Sequence, residues 1–263
     1  MKKTKQIVTI FAALALAVTA GLSFAGTKTK AAGSDEFTRT AIEIAADMGY
    51  GWNLGNTMEA TNTWTSNPTV KDFETAWGQP VTTKAMIDGI KKAGFNSIRI
   101  PVSWSNMMSS DGNYTIDASY FKRVDEIISY AFANDMYVII NDHYDGGWWE
   151  HFCGNKRDCM KHYKNMWTQV AEHYKDYSEK LIFESANEEL GDSLKKSLSK
   201  IDVNIADTAL YNLVNEINQT FVDIVRQSGG NNAKRYLLIA GFNTDIDKTC
   251  SSLYKMPTDT ISN

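Results

Sequence analysis

Short apolar segments that alternate with amphipathic ones constrain this chain more than any other feature of its sequence. The apolar segments are rich in Ile, Leu, Val and Tyr and nearly continuous, which is typical of strands buried on both faces. Four are well defined and one, interrupted by glycine, is weaker: 96–102, 136–141, 180–185, 235–241 and the weaker 50–55. They predict five strands of one parallel sheet.

Amphipathic helices are predicted after each of the first four strands. The first begins at Thr82 or Thr83 and stops at Gly94, and the last ends before Gly229 and Gly230. Strand–helix repetition indicates βαβ units, which fit an open doubly wound sheet or the first part of an eight-stranded barrel. No glycine-rich phosphate fingerprint follows any strand, which weakens the doubly wound alternative.

The amino-terminal residues resemble an export signal. Lys2, Lys3 and Lys5 precede an apolar stretch, and the segment 23–25 offers a small-residue cleavage site. A membrane anchor is the alternative, but the stretch is shorter than the ~20 residues of a spanning helix. We therefore expect a secreted protein, free or associated with the cell surface, with three parts: a signal peptide at 1–25, a flexible lead-in at 26–36 and a catalytic domain at 37–263.

Charge and cysteine content bear on possible partners. The net charge of −4 provides no basic surface for nucleic acid or an anionic membrane. Cys153, Cys159 and Cys250 are an odd number for an exported protein, and a bridge between the first two is one option. Their spacing from His151 and His162 matches no standard zinc site, so we do not expect a metal centre.

Polar residues recur where the predicted strands end. They are Asn56 after the first strand, Arg99 in the second, Asn141, Asp142 and His143 after the third, Asn187 and Glu188 after the fourth, and Asn243 and Asp245 after the fifth. Taken singly, Arg99 could form a buried ion pair, His143 could be a core histidine and Glu188 could cap a helix. Active sites of (β/α)8 barrels are built at the carboxyl ends of the strands, so the shared position favours that fold.

Five motifs carry a family resemblance. In chain order they are GWNLGNTME (51–59), ETAWGQP (74–80), GFNSIRIPVSW (94–104), YVIINDHYDGGWW (137–149) and LIFESANEE (181–189). Their order and spacing are similar to those of glycoside hydrolase family 5, the cellulase family. One motif alone would be weak, whereas five in register are specific and span nearly all of the chain after the lead-in.

The resemblance implies a retaining β-glycanase on a (β/α)8 TIM barrel. Glu188 matches the family's general acid/base, and Asn187 its neighbour that contacts the sugar 2-hydroxyl. Arg99 and His143 match the residues around the nucleophile. Glycoside cleavage needs one protonated carboxyl and one attacking carboxylate, but no metal or organic cofactor. Partial burial and a second nearby carboxylate would keep Glu188 protonated.

Aromatic side chains are expected to bind sugar rings, whose C–H faces are apolar. Neighbours on an extended segment point in opposite directions, so we favour Trp148 as a stacking residue with Trp149 packing behind it. Trp64, in a polar loop, predicts a cleft wall. The predicted substrate-binding set also includes Asn56 and Tyr144, whereas three further tryptophans are expected to be structural: Trp52, Trp77 and Trp104.

Three departures from the family pattern limit these expectations. Glu189 stands where the family usually has Pro, and Tyr144 stands where many relatives have a second His. The His-x-Tyr segment, the nucleophile Glu and the stacking Trp of strands six to eight do not occur in the sequence. We therefore expect an incomplete barrel with an open sheet edge, poorly stable and inactive by itself.

The leading hypothesis is the amino-terminal portion of an endo-β-1,4-glucanase that acts on β-glucan polysaccharide. Mannan, xyloglucan and mixed-linkage glucan remain open as substrates, because loop contacts decide among them. A non-catalytic polysaccharide-binding barrel is a hypothesis of a different class, but it would not need the acid and its polar neighbours. Nucleic acid, and a membrane after signal cleavage, are not expected as partners, and the oligomeric state stays open.

Overall fold

A computed structural model describes residues 37–195 and 205–261. The predicted signal peptide at 1–25 and the lead-in at 26–36 lie outside the described residues. Within the two described ranges, no helix has both the length and the apolar character needed to cross a bilayer.

Five parallel strands form one sheet in which spatial order follows chain order. The strands are β1 Gly51–Asn53, β2 Ser97–Ile100, β3 Tyr137–Ile140, β4 Leu181–Glu184 and β5 Leu237–Leu238. Each lies inside its predicted segment. A doubly wound sheet would reverse its strand order at a switch point. The unreversed order therefore confirms the barrel-type prediction over these five strands.

Helices lie between successive strands, one more precedes β1 and one follows β5, and the long helices cover one face of the sheet. In the described part of the chain they are α1 Ala41–Met48, α2 Val70–Glu74, α3 Lys84–Lys92, α4 Ala118–Phe132, α5 Lys156–Tyr174, α6 Asp207–Gln227 and α7 Ile246–Thr249. The helices α3 to α6 are the four that periodicity predicts. Thr83, not Thr82, caps α3, because its side chain accepts the Met86 amide. The three short helices were not predicted, since they carry little periodic signal.

The main core lies between the sheet and helices α3 to α6. On β2, Ile98 and Ile100 are fully buried in this layer, while Arg99 between them points to the opposite face. Trp167 of α5 meets Phe221 of α6 edge to face, with ring centroids 4.6 Å apart. Each such buried side chain contributes roughly 1.5–3 kcal/mol. The packing fixes the strand ends on which the candidate site is built.

Polar pairing closes the amino-terminal end of the strands. Arg235, fully buried before β5, donates to the Asn232 side chain and to four backbone carbonyls: Ser178, Leu181, Tyr174 and Tyr177. Arg39 donates to Asp47, Glu179 and the Tyr137 hydroxyl. These contacts join the segment before α1 to the starts of β3, β4 and β5.

Candidate active site

The Arg99 guanidinium is the centre of a polar cluster on the inner face of the sheet. Its Nε lies 2.7 Å from Glu184 Oε2, its Nη1 2.9 Å from Asn53 Oδ1 and its Nη2 2.9 Å from Asn187 Oδ1. The ends of β1 and β4 thus converge on a cation of β2, whose planar fork fits several acceptors at once. The structure brings Arg99 and Asn187, two of the predicted site residues, into direct contact.

Sequence reasoning missed two members of this cluster. Asn53 is the last residue of β1, and Glu184 is the last residue of β4. The available signal was the carboxylate that closes the apolar run LIFE, because an unpaired charge would not be tolerated there. The expected partner of Arg99 was the nucleophile. In the described chain, its carboxylate partner is Glu184.

Glu188 is exposed, which differs from the expected partial burial. The physical reason lies in its two neighbours, which both turn toward the sheet. Asn187 reaches Arg99, and Glu189 accepts the Tyr144 amide at 2.6 Å. Glu188 between them therefore faces the open side above the strand ends, where a polymer could reach its carboxyl group.

Glu189 is the buried carboxyl of the pair, with 7% of its surface exposed. Burial is the main reason that its pKa rises to about 7, and the negative charge of Glu188 adds to the effect. Its Oε2 has no hydrogen-bond partner among the described residues. An acid that titrates near neutrality therefore lies directly behind the candidate acid/base.

His143 and Asp142 extend the cluster from the end of β3. Burial, with the Arg99 charge second, lowers the pKa of His143 to about 4, so the imidazole is neutral at pH 7. Asp142 is fully buried, and its pKa is raised by burial and by the charges of Asp145 and Glu189. The Asp142 carbonyl accepts the Asn187 amide at 3.0 Å, which joins the ends of β3 and β4.

The loop after β3 begins with an unusual turn. Tyr144 has φ 53° and ψ −48°, and the Asp145 amide donates to the His143 carbonyl at 2.5 Å. This is the rare γ-turn with positive φ. Such backbone states cost on the order of 1–3 kcal/mol and concentrate at functional sites. The Tyr144 ring is 41% exposed at the mouth of the cluster.

The predicted tryptophan roles need one correction. Trp148 stacks on Trp149 and on His162, with ring centroids 4.4 Å away in both cases. Its ring is occupied by protein contacts, so the structure argues against Trp148 as a sugar platform. Trp149 is fully buried and donates to Asp142, as a packing residue would. The reason is that Gly146 and Gly147 kink the chain with positive φ, so Trp148 and Trp149 lie in a turn after the kink rather than in an extended segment.

The other tryptophans divide into exposed and buried groups. Trp64 is 99% exposed in the loop after β1, which agrees with a cleft-wall position. Trp104 is fully buried, as expected of a structural residue. Trp52 and Trp77 are partly exposed, although Trp77 donates to the Thr61 carbonyl and Trp52 packs edge to face on Phe95.

Asn56 follows β1 in a tight turn. Its φ is 61°, and its amide donates to Glu59 Oε1 at 2.5 Å. Glu59 is buried and also accepts the Thr57 amide. The Asn56 side chain is exposed at the carboxyl end of the sheet, where the predicted substrate-binding role remains a prediction.

A second tie joins the loops after β4 and β5. The Asn243 Oδ1 accepts the Asp192 amide at 2.7 Å, and its Nδ2 donates to Asp192 Oδ2 at 2.6 Å. A side chain at Gly191 would place Cβ 1.9 Å from Asn243 Oδ1, so glycine is required for this approach. Asp245 caps α7 and is therefore structural.

The structure also places the cysteines and the candidate metal ligands of the described chain. The three cysteines are unpaired, so the optional bridge between Cys153 and Cys159 is not formed in the structure. In residues 37–195 and 205–261, no group of three or more His, Cys, Asp and Glu side chains is arranged to hold a metal ion.

Comparisons with known proteins agree with this geometry. The protein-family model for cellulases (glycosyl hydrolase family 5) matches residues 58–263 of the sequence. Endoglucanase A of Paenibacillus barcinonensis is 42% identical over 255 residues, which cover 94% of this chain and 60% of the relative. A xyloglucan-specific endo-beta-1,4-glucanase of Bacteroides ovatus is 35% identical over 227 residues, or 85% of this chain and 43% of that relative.

A solved structure is similar over most of the fold. The broad specificity endoglucanase from Ruminococcus champanellensis, with bound cellotriose, superposes with a TM-score of 0.77 at 38% identity. The match covers 88% of this chain and 65% of that one. The barrel-type sheet, with its Arg–Asn–Glu cluster at the strand ends, therefore defines a glycoside hydrolase fold. The chain belongs to glycoside hydrolase family 5, the cellulases, and spans 60% of the length of its Paenibacillus relative.

Proposed function

We propose that this chain is the amino-terminal part of an endo-β-1,4-glucanase that cleaves β-glucan with retention, with Glu188 as the general acid/base. One observation carries the proposal: Glu188 stands exposed beside the cluster of Arg99, Asn53, Glu184 and Asn187 at the carboxyl ends of three strands. Barrel enzymes build their active sites at this end. The family membership supports the reaction class.

The residues divide the chemistry among them. Glu188 would protonate the glycosidic oxygen and later remove a proton from the attacking water. Asn187 accepts a hydrogen bond from Arg99 at its Oδ1, and its Nδ2 would donate to a sugar 2-hydroxyl. The neutral imidazole of His143 can donate to or accept from a hydroxyl without repelling a developing positive charge at the anomeric carbon.

The double displacement also needs a nucleophilic carboxylate about 5–5.5 Å from the acid. Glu184 is bound to Arg99 within the sheet, so we propose that the nucleophile comes from a segment beyond the five strands described here. The chain without that segment is expected to release no sugar. The coding DNA beyond codon 263 tests this: a reading frame that continues through Gly-Glu-aromatic-Gly supports the proposal, and a stop codon contradicts it.

The Glu188→Gln variant tests the acid/base assignment in the protein that carries the nucleophile. We expect turnover of carboxymethyl cellulose to fall by about 10²-fold or more, because the leaving oxygen is no longer protonated. An aryl cellobioside with an acidic leaving group should lose less in bond cleavage, since it needs less protonation.

A matched control is Glu172→Gln, an exposed carboxylate of α5 paired with Lys175. It should leave turnover unchanged. Near-normal activity of Glu188→Gln on carboxymethyl cellulose would show that another group is the acid.

Substrate choice is tested on a panel of soluble cellulose, mixed-linkage glucan, xyloglucan and mannan. The endoglucanase relatives support β-1,4-glucan as the first candidate. The xyloglucan-specific relative from Bacteroides ovatus makes xyloglucan the second. Binding of a glucan by the complete protein without release of reducing ends would instead support a non-catalytic polysaccharide-binding barrel.

The proposal also includes export of the protein from the cell. Residues 1–25 have the features of a signal peptide, so the mature protein should begin at Gly26 outside the cell. Amino-terminal sequencing of the protein from culture medium checks this. An uncleaved amino terminus would contradict it.

A further inference from the structure

The two departures from the family pattern within the described loops touch each other. Glu189, in the usual place of Pro, and Tyr144, in the usual place of a second His, lie 45 residues apart in the chain. Glu189 Oε1 nevertheless accepts the Tyr144 amide at 2.6 Å. A proline at 189 would have no side-chain acceptor, so the two departures form one structural unit.

The Tyr144 backbone needs an external restraint. Its γ-turn is followed by three more residues with positive φ: Asp145 at 50°, Gly146 at 75° and Gly147 at 79°. Such conformations persist only where the surroundings over-determine them. The Asp145 carboxylate is held by the Ser105 amide and hydroxyl and by Trp148 Nε1. At the start of the turn, the Tyr144 amide is held by Glu189.

This turn determines where the Tyr144 ring lies. A Cβ built on Gly147 would lie 3.3 Å from the Tyr144 hydroxyl, so the phenol leans over that glycine. The ring remains 41% exposed. Trp148, four residues on, has its ring packed between Trp149 and His162. Tyr144 is therefore the aromatic ring of this loop that can offer a surface to a ligand.

The burial of the Glu189 carboxyl group is energetically unfavourable, which suggests that the group has a functional role. The carboxyl is 7% exposed, its Oε2 has no hydrogen-bond partner in the described chain, and Glu188 adds negative charge beside it. Buried acids in such surroundings are typical of functional sites. A pure packing role would favour an apolar residue of similar size.

We propose that Glu189 is a positioning residue: its carboxyl accepts the Tyr144 amide, stabilises the γ-turn after β3 and so presents the Tyr144 ring as a stacking surface for a sugar unit of the substrate. The sugar as ligand rests on the proposed function. The control of the turn by Glu189 does not.

Two substitutions at position 189 distinguish the effect of the hydrogen-bond acceptor from the effect of side-chain size. Glu189→Gln keeps an acceptor oxygen at the Tyr144 amide, whereas Glu189→Met keeps the length and removes the acceptor. Tyr144→Gly removes the ring and relieves the positive φ. Glu172→Met, on the exposed face of α5, is the control. Each variant is made in the complete protein that carries the nucleophile, with Glu188→Gln as the background for the binding measurements so that cellotetraose is not cleaved.

Amide hydrogen exchange at Tyr144, followed by NMR, reports on the turn without any assay of activity. We expect Glu189→Met to accelerate exchange at least about tenfold, because the loss of a net hydrogen bond of about 1.4 kcal/mol corresponds to that factor. Glu189→Gln and Glu172→Met should stay within about twofold of the unaltered chain. Unchanged exchange in Glu189→Met, or equal acceleration in Glu189→Gln, would overturn the positioning role.

Cellotetraose binding, measured by titration calorimetry, tests the ligand. Glu189→Met and Tyr144→Gly should each weaken binding about three- to tenfold, the scale of one aromatic stacking contact, and the double variant should be no weaker than either. Unchanged affinity in Tyr144→Gly would overturn the stacking role, whatever the exchange shows. Failure of the unaltered chain to bind cellotetraose would count against the proposed glucan substrate, while exchange still decides the role of Glu189.

Discussion

The two ends of the parallel strands treat buried polar groups in opposite ways. At the amino-terminal end, the fully buried Arg235 uses its five N–H groups on five acceptors. At the carboxyl-terminal end, Asp142 and Glu189 are also buried, yet each has a carboxyl oxygen without a hydrogen-bond partner in the described ranges. The Arg235 guanidinium is fully paired, whereas these two carboxyl groups are not.

Backbone geometry repeats the contrast. Seven of the nine non-glycine residues with positive φ in the described chain lie between a strand and the helix that follows it: Asn56, Asn62, Tyr114, Tyr144, Asp145, Asn243 and Thr244. Loops at that end carry the active sites of barrel enzymes, whereas the opposite end serves stability. The difference teaches that this fold concentrates its unfavourable polar and backbone states where substrate would bind.

The largest expected effect on the free energy of unfolding is at the amino-terminal end of the strands. Arg235→Met removes all five of these buried hydrogen bonds, and a hydrogen bond to a charged group contributes roughly 1.5–3 kcal/mol. We expect a loss of at least about 5 kcal/mol in the free energy of unfolding, enough to unfold a domain of ordinary stability. Urea unfolding, or soluble yield if the variant does not fold, measures it.

Arg157→Met is the matched control for this prediction. Arg157 is highly exposed and pairs only with its neighbour Asp158 among the described ion pairs. It should change the free energy of unfolding by less than about 0.5 kcal/mol. Similar losses in the two variants would remove the contrast between the two ends.

The next largest effect is the pH dependence of the free energy of unfolding, caused by Glu189 at the carboxyl-terminal end of the strands. The pKa of Glu189 rises from its usual 4.5 to about 7, so the folded state holds the proton more tightly than the unfolded state. Its stabilising contribution is complete below pH 4.5 and is lost as the pH rises through 7. The loss is on the order of 3 kcal/mol. Glu189→Gln should therefore gain stability relative to the unaltered protein across this interval.

Asp47 at the opposite end should show the reverse sign. Hydrogen bonds from Tyr137 and Arg39 lower its pKa, so its contribution is present at neutral pH and is lost as the pH falls below 3.8. Unfolding free energies of Glu189→Gln, Asp47→Asn and the unaltered chain between pH 3 and 8 test both signs. A difference between Glu189→Gln and the unaltered chain that stays constant with pH would contradict the shifted pKa.

Much of the fold follows from the sequence because the strands are apolar on both faces. Their residue types distinguish them from the amphipathic helices, and parallel strands bring their carboxyl ends together. Arg99 and Asn187 could therefore be placed in one cluster. Glu184 was missed because a single charge at the end of an apolar run carries little periodic signal.

The orientation of side chains just after the strands could not be predicted. Alternation decides orientation only within an extended segment. The burial of Glu189 depends instead on the Tyr144 amide from another loop, and this long-range contact leaves Glu188 exposed. Trp148 differs from its expected orientation for a related reason, since Gly146 and Gly147 kink the loop and the two tryptophans stack on each other.

The smallest expected effects are at the carboxyl-terminal end of the strands, where two substitutions distinguish a tryptophan that binds substrate from one that packs inside the protein. Trp64→Ala should leave the free energy of unfolding within about 0.5 kcal/mol, because the ring is 99% exposed. It should weaken cellotetraose binding about three- to tenfold if the ring forms a cleft wall. Trp148→Ala should instead cost on the order of 2 kcal/mol of stability, below the value for a fully buried ring. Titration calorimetry and urea unfolding on both variants decide the matter: a destabilised Trp64→Ala, or one that binds as tightly as the unaltered chain, would show that this loop is not part of the cleft.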